Sequence, residues 1–329
     1  MKKFLLTCLA VSVVALPGLP VRAATVLRLT AQMPTKHHTT VNLNAFKAQV
    51  EKESQGRIKV EVYPASQLYK DSEIPQAVST GAIEMGSVSL SQFSGTVPAV
   101  DVFAVPFLLD TESRVRAATS PDSPIRKTLD AAILKTGSRV LWWQAFGGTI
   151  LLVKGHEIRL PPDMKGKKVR VFGKTLGRFV EAVGGVPTIV PGSEQFIAYQ
   201  RGTVDAGMTG ITTTISRKLY QVTDSMTVTN NADVEFLVII NEKLWQSLPA
   251  ADRAIVENAA RKVEKDLRDE VSRIEGNALA QCKSKMKVIE LTPEERAQWR
   301  AASKPVISEF IQWTGPMGKT MIDEAEALQ

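Results

Sequence analysis

The sequence has few of the residues that build disulfides and metal centres. It contains two cysteines, Cys8 and Cys282, and three histidines. If residues 1–23 are removed as a targeting segment, Cys282 remains alone and no intramolecular disulfide can form. An exported chain of this kind depends on its core for stability. We therefore expect a fold held together by packing and not by covalent cross-links.

The histidines do not have the spacing of a metal site. His37 and His38 are adjacent in a loop, where we expect a solvated pair, and His156 lies in a predicted exposed hairpin. The sequence also has no G-x-S-x-G elbow, no P-loop and no G-x-G-x-x-G turn after a strand. It lacks a basic block with interleaved aromatic residues. These features argue against nucleophilic, metal and dinucleotide chemistry and against nucleic-acid binding, and we expect no cofactor.

The only long apolar run is at the N-terminus. Lys2 and Lys3 precede an apolar segment, Phe4–Leu16, which is followed by prolines and then by small residues at Ala23 and Ala24. This pattern predicts a signal peptide over residues 1–23 and a periplasmic location. A membrane anchor is the alternative, but the run is shorter than the roughly 20 residues that span a bilayer. Loss of Lys2, Lys3 and Arg22 would lower the formal net charge from +7 to +4.

The rest of the chain alternates between strand and helix patterns. Alternating apolar residues predict strands, and apolar residues spaced by three or four predict helices. The order β-α-β-α-β in the first part implies a parallel sheet covered by helices. The rhythm restarts after Gly147 and Gly148, which we expect to separate two strands, Arg139–Phe146 and Thr149–Lys154. The sequence therefore predicts two α/β units, joined near residue 147 and again by strands around Ser225–Asn241.

A long helix is predicted near the C-terminus. Apolar residues spaced by three or four continue from Val256 to Ala278, which indicates one helical face over about Ala250–Lys283. At 1.5 Å per residue this helix is about 50 Å long, more than one small domain needs. We expect it to brace both units. A coiled-coil dimer arm is the alternative, although its seam has few leucines and isoleucines.

The segment Lys168–Phe172 contains the clearest candidate for ligand binding. Val169 and Val171 alternate with Arg170 and Phe172, so Arg170 lies near the carboxyl end of a predicted strand. Ligands bind at that end of open α/β sheets, and a guanidinium can hold a carboxylate with two parallel hydrogen bonds. The pattern alone also fits an ordinary surface arginine. Asp233 and Glu235 share a strand face, which fits either a second site or an exposed edge.

Several ordered motifs make the chain similar to a known family. They are LRLTAQMP, GRIKVEVYPASQL, STGAIEMGSVS, VPFLL, PPDMKGKKVRV, YQRGTVDAGMTG and FLVIINEKLWQSLPAADRAIVENAA. In this order the sequence resembles solute-binding proteins of the tripartite ATP-independent periplasmic (TRAP) transporters, the DctP-like group. The resemblance covers nearly all of the chain after the predicted signal peptide.

The resemblance implies a fold and a division into domains. The fold is an α/β clamshell of two lobes with a shared hinge strand and a long C-terminal helix that bridges both lobes. We expect domain I to comprise residues 24–147 plus about 236–275, and domain II residues 148–235 plus about 276–329. The implied function is capture of a small organic acid by domain closure and its delivery to a small and a large membrane subunit. A binding protein of another transporter or sensor is an alternative, and a periplasmic enzyme is a weaker one.

The resemblance also implies the residues of the ligand site. Arg170 takes the place of the family's carboxylate anchor. The family's other positions lie at the ends of strands or in nearby turns: Gln32, Asp71, Ser89, Gln92 and Thr209. Phe172 joins the predicted site because it shares the strand face of Arg170. Compared with sialic-acid binders, Ile150 stands where a second arginine would fall. We therefore expect one positive anchor, an aromatic wall that includes Phe172 and either Trp142 or Trp143, and a monocarboxylate ligand with an apolar or aromatic body.

Overall fold

The computed structural model describes residues 24–328, so the predicted signal peptide lies outside the described residues. These residues form ten strands and eleven α-helices. The strands are β1 (Thr25–Ala31), β2 (Ile58–Tyr63), β3 (Met85–Ser89), β4 (Ser138–Val153), β5 (Lys168–Val171), β6 (Val186–Ile189), β7 (Ala206–Gly210), β8 (Ser225–Val228), β9 (Asp233–Asn241) and β10 (Lys287–Glu290). The helices are α1 (His38–Glu53), α2 (Ile74–Thr80), α3 (Glu112–Thr119), α4 (Pro124–Leu134), α5 (Lys174–Ala182), α6 (Gln195–Gln200), α7 (Ile211–Ser216), α8 (Glu242–Ser247), α9 (Ala250–Lys283), α10 (Pro293–Ser303) and α11 (Pro305–Glu326).

The strands form one continuous pairing path through two lobes. Along the path the order is β2-β1-β3-β9-β4-β7-β5-β6, while β8 pairs with β4 and β10 pairs with β8. We call the part from β2 to the first half of β4 the first lobe, and the part from the second half of β4 onward the second lobe. β1 is parallel to both β2 and β3, as the β-α-β-α-β order predicts. β9 is antiparallel to β3 and β4, and β4 is antiparallel to β7.

The shared strand β4 runs through both lobes without a break. We expected two strands separated at Gly147 and Gly148, and this expectation is wrong: Ser138–Val153 is a single strand. The pairing of β4 with β9 shifts register between Ala145 and Gly147, and Gly147 has φ +113°. The glycines therefore allow an irregularity within a strand instead of ending it.

The long helix α9 has the predicted bounds and joins the two lobes. Its first part packs Val256 and Val263 into the first-lobe core beside Trp142. Its last part packs Ala278 and Cys282 into a core cluster of the second lobe. The apolar face that suggested a possible coiled coil is thus occupied within the same chain.

The C-terminal helix α11 differs from the expected domain division. We assigned residues 276–329 to domain II, but Phe310, Met321 and Ile322 of α11 lie in the main core cluster of the first lobe. The residues before α11 do pack with the second lobe, Ala278 and Cys282 in one of its core clusters and Trp299 in another, which Val306 at the start of α11 joins. The chain returns to the first lobe because the apolar face of α11 completes the core around Trp143. The other domain bounds remain a prediction.

The carboxylates of β9 do not lie at an exposed edge: Asp233 is half-buried and Glu235 is buried. Glu235 is 1% exposed, and its two oxygens accept hydrogen bonds from Arg268 of α9 at 2.6 and 2.8 Å. A buried carboxylate needs such a partner. The pair ties the shared helix to a shared strand near the crossing between the lobes. Among residues 24–328, no helix combines the length and the apolar character that crossing a bilayer requires.

Candidate functional site

A cavity of about 100 Å³ lies between the two lobes, and all seven predicted site residues line it. They come from separate parts of the chain: Gln32, Asp71, Ser89, Gln92, Arg170, Phe172 and Thr209. Gln32 directly follows β1, Ser89 ends β3, and Thr209 is near the end of β7. The fold collects them because the carboxyl ends of parallel strands meet at one edge of a sheet. Their role in binding remains a prediction.

Arg170 is held in place by the backbone of its own lobe. Its Nε donates to the carbonyl of Val190 at 2.9 Å, and its Nη1 donates to the carbonyl of Met208 at 2.6 Å. The remaining N–H groups of Nη1 and Nη2 have no partner among the described residues. Since a guanidinium has five donors in a fixed fork, the free side can take a carboxylate. Burial lowers the pKa of Arg170 to about 10, so the group is still charged at neutral pH.

Gly207 allows Arg170 to lie where it does. A Cβ at position 207 would be 2.5 Å from Tyr199 Oη and 2.7 Å from Arg170 Cβ. Tyr199 Oη in turn donates to the carbonyl of Gly207 at 3.2 Å. Only a residue without a side chain fits between the tyrosine and the arginine.

Arg217 is a second guanidinium at the cavity, and our sequence analysis missed it. Its Nη2 donates to the backbone carbonyl and to Oε1 of Gln32, both at 3.2 Å. The cavity therefore has two guanidiniums where we expected one. A signal was present, because Arg217 follows Thr213 by four residues at the end of α7, so the two share a helical face. Thr213 also lines the cavity.

Asp71 supplies the negative charge of the cavity. Its Oδ1 accepts a hydrogen bond from the backbone N–H of Ser89 at 3.1 Å. Burial raises the pKa of Asp71 to about 7, although the Ser89 N–H, Arg217 and Arg170 act in the opposite direction. The carboxyl group can therefore change its charge near neutral pH.

The aromatic wall consists of phenylalanines and contains no tryptophan. Phe146, Phe172 and Phe236 line the cavity, and the Phe172 ring lies 5.1 Å from Arg170 Cζ. Both tryptophans proposed for the wall are fully buried in the first-lobe core. Trp142 Nε1 donates to Asn42, and Trp143 Nε1 donates to Asp130. The tryptophan part of that expectation is wrong because alternation along β4 directs these side chains into the two cores on either side of the sheet.

The adjacent histidines also differ from the expectation of a solvated pair. His37 is 1% exposed, and its ring stacks on Phe146 at 5.3 Å. Its Nδ1 accepts from the N–H of Thr39 at the start of α1, and its Nε2 is 3.1 Å from Thr212 Oγ1 in the second lobe. Burial holds the pKa of His37 well below its usual value and lowers that of His38 to about 4. His156 is exposed, as predicted.

The two lobes contact each other around the cavity. Besides Arg217 with Gln32 and His37 with Thr212, the Ser91 hydroxyl donates to the carbonyl of Phe172 at 3.3 Å. At the rim, Lys70 Nζ is 2.9 Å from Glu194. These contacts join groups of opposite lobes, so the structure is a closed form of the cleft.

Comparison with known proteins identifies the family. The family model described as bacterial extracellular solute-binding protein, family 7 (DctP), matches residues 30–313. The chain belongs to this family. It is 29% identical over 275 residues to the C4-dicarboxylate-binding periplasmic protein DctP of Rhodobacter capsulatus, covering 82% of this chain and 81% of that protein. The family binds small carboxylates for TRAP transport.

Solved structures of TRAP periplasmic solute-binding proteins share the two-lobed fold. One from Sulfurospirillum deleyianum with bound succinate has a TM-score of 0.87 at 25% identity, covering 94% of this chain and all of that one. One from Polaromonas bound to D-erythronate has a TM-score of 0.85 at 26% identity, covering 93% of this chain and 99% of that one. These results confirm the predicted family and the clamshell fold with its shared strand and helix.

Proposed function

We propose that this family 7 protein captures a small monocarboxylate by closure of its lobes, with the carboxylate on Arg170 and an apolar body against the phenylalanines. The observation that carries the proposal is the buried Arg170 guanidinium, which has unused donors at a cavity between two lobes. Phe146, Phe172 and Phe236 supply the apolar surface. The relatives bind acids of different charge, succinate and D-erythronate, so the preference for a monocarboxylate rests on this cavity.

The proposed mechanism is binding by closure about the crossing near Gly147. The acid enters the open form and docks on Arg170, which its own lobe already holds in position. Gln32, Ser89 and Gln92 of the first lobe then complete the contacts as the lobes meet. A micromolar site needs about −8 kcal/mol in total, which one charged pair, several neutral hydrogen bonds and apolar contact can supply.

The partners and the location follow from the same proposal. We infer that the closed form delivers its ligand to the small and large membrane subunits of a TRAP transporter. Two adjacent genes for membrane subunits, with no adjacent ATPase gene, would support this partner. We also infer export by the N-terminal segment, and sequencing of the periplasmic protein should then find Ala24 as the first residue.

Arg170→Ala tests the proposal most directly. A panel of carboxylic acids is first screened for stabilisation of the wild-type protein, and the best compound is titrated by calorimetry. Arg170→Ala should abolish its binding, while Arg201→Ala, an exposed arginine of the same lobe, should leave the affinity unchanged. Circular dichroism checks that each variant is folded. Unchanged affinity in Arg170→Ala rejects the anchor role, and stabilisation only by sugar acids or short dicarboxylates rejects the ligand class.

Recovery of the bound compound separates transport from catalysis. Mass spectrometry of the ligand after incubation with the protein should return it chemically unchanged. Stoichiometric conversion would indicate an enzyme.

A further inference from the structure

Among the residues that line the cavity in the described chain, three carry charge: Arg170, Arg217 and Asp71. Asp71 forms no ion pair with either guanidinium, since none of its oxygens lies within 4.0 Å of their nitrogens. The three charges therefore surround the cavity without neutralising one another by direct contact. A ligand between them experiences all three.

Arg217 has donors to spare after its contacts with the first lobe. Its three contacts, with the carbonyl and Oε1 of Gln32 and with Met33 Sδ, all involve Nη2. Nη1 lies against Gly192, where an added Cβ would be only 2.5 Å away. Nε and Nη1 have no hydrogen-bond partner among residues 24–328. A guanidinium in this state at a cavity can donate hydrogen bonds to an anionic or carbonyl oxygen of a ligand.

The number of charges limits what the closed cavity can hold. A net charge left uncompensated in a site without water is costly, so a closed cleft favours the ligand that balances it. With Asp71 ionised, the two guanidiniums leave one positive charge. With Asp71 neutral, they leave two.

We infer that Asp71 and Arg217 together select the charge of the ligand. Ionised Asp71 offsets one of the two guanidiniums, so the cleft accepts a monoanion, and loss of this carboxylate converts it into a site for a dianion. The inference rests on the proposed function, because it assumes that a carboxylate is bound on Arg170. It adds Arg217 as a residue that determines specificity.

Arg217 could instead act only as a latch, that is, as a contact with Gln32 that holds the lobes closed. A latch stabilises the closed form whatever the ligand, so its loss would weaken a monoanion and a dianion by the same factor. A charge-selecting residue changes the ratio of the two affinities. The ratio is therefore the quantity to measure.

Laevulinate and succinate make a matched pair of probes. They have the same number of heavy atoms, and a methyl ketone in laevulinate replaces one carboxylate of succinate. Both are titrated by calorimetry at pH 8, above the pKa of Asp71, which is about 7. The proteins are the wild type, Asp71→Asn, Arg217→Gln and the double variant. Glu73→Gln serves as control because it removes the same charge two residues away at an exposed position.

The wild type should prefer laevulinate. Asp71→Asn should shift the affinity ratio toward succinate by about tenfold or more, whereas Glu73→Gln should not change it. Arg217→Gln should weaken both probes, and the double variant should bind laevulinate more tightly than Arg217→Gln because one net positive charge is restored. This recovery cannot come from a latch. Thermal unfolding confirms that every variant is folded.

Two results would overturn the inference. If Asp71→Asn leaves the ratio unchanged and the double variant binds no better than Arg217→Gln, the charge selection is wrong, and the role of Arg170 stands on its own test. If the wild type binds neither probe nor any acid of the screening panel, the proposed function itself fails, and the charge selection fails with it.

Discussion

The second lobe brings two guanidiniums to the cavity, whereas the first lobe brings one carboxyl group together with neutral amides and hydroxyls. Arg170 is fixed by carbonyls of its own lobe, so its position does not depend on closure. Asp71 is likewise held by Ser89 of its own lobe. Gln32, in contrast, contacts Arg217 only when the lobes meet. Under the proposed function, the second lobe anchors the acid, and the first lobe supplies Asp71 for charge selection and neutral groups that complete the hydrogen bonds.

After the loss of the anchor itself in Arg170→Ala, the largest effect should come from disturbing the second lobe at Gly207. Gly207→Ala places a methyl group against Tyr199 Oη and Arg170 Cβ, so the guanidinium must move. We expect carboxylate affinity in calorimetry to fall about 100-fold, because displacing one partner of a buried, hydrogen-bonded charged pair leaves the other poorly compensated. The control is Gly276→Ala in α9, where no atom is within 4 Å of the new methyl group. An unchanged affinity in Gly207→Ala would mean that Arg170 does not need this placement.

A smaller loss is expected for a neutral group of the first lobe. Gln32→Ala removes one neutral side chain at the cavity and one acceptor of Arg217. A hydrogen bond of this kind is worth about 1 kcal/mol, so the affinity should fall about fivefold to tenfold. Comparison of the dissociation constants of Gln32→Ala and Gly207→Ala tests whether the second lobe contributes more to ligand binding than the first. A larger loss for Gln32→Ala would reverse the roles assigned to the two lobes.

The contact of His37 with the second lobe should make stability depend on pH. Burial, His38 and Arg217 all lower the pKa of His37, so the folded protein resists its protonation while the unfolded chain accepts a proton below pH 6.5. This contribution to the free energy of unfolding is therefore present above pH 6.5 and is lost as the pH falls. The buried carboxyl groups Asp71 and Asp101 have raised pKa values and act in the opposite direction.

His37→Gln separates the contribution of the histidine to pH-dependent stability from the contribution of these acids. Urea unfolding should show the variant less stable than the wild type at pH 8, and the gap should narrow between pH 7 and pH 5. The exposed His156→Gln should show no such change. A gap that stays constant with pH would show that His37 contributes no proton linkage.

The smallest effect should come from the rim. Lys70 and Glu194 face each other across the cleft, but both side chains are about half exposed. Exposed pairs contribute little and are screened by salt, so Lys70→Gln should change ligand dissociation by about twofold or less. Stopped-flow measurement at low and high salt checks this. A larger, salt-independent change would show that the rim pair contributes substantially to the free energy of closure, in addition to the contacts at the cavity.

Local patterns were sufficient for the elements that depend on local sequence. The strand with Arg170 followed from alternation, and α9 followed from an apolar helical period that continues from Val256 to Ala278. The same alternation gave Phe172, and the family resemblance gave the other five predicted residues of the cavity. Each of these inferences uses residues close together in the chain or motifs in a known order.

The residues that were missed depend on contacts between distant segments. Arg217 reaches Gln32 across 185 positions, and His37 reaches Thr212 across 175. The sequence shows that Thr213 and Arg217 share a helical face, but it does not show that this face meets Gln32 or that His37 meets Thr212. The burial of Trp142 and Trp143 likewise depends on which helices cover each face of β4. The packing of α11 in the first lobe could be predicted only from the completed core, because its partners come from distant parts of the chain.

Cys282 has a practical consequence for measurements of closure. It is the one cysteine among residues 24–328, it is fully buried, and burial raises the pKa of its thiol to about 11. Such a thiol reacts slowly with maleimide dyes, since the thiolate is the reactive form. Two cysteines introduced at exposed positions, one on each lobe, can therefore carry a fluorescent donor and acceptor with no need to remove the native thiol. Energy transfer between the dyes would then follow the cleft in real time as an acid is added.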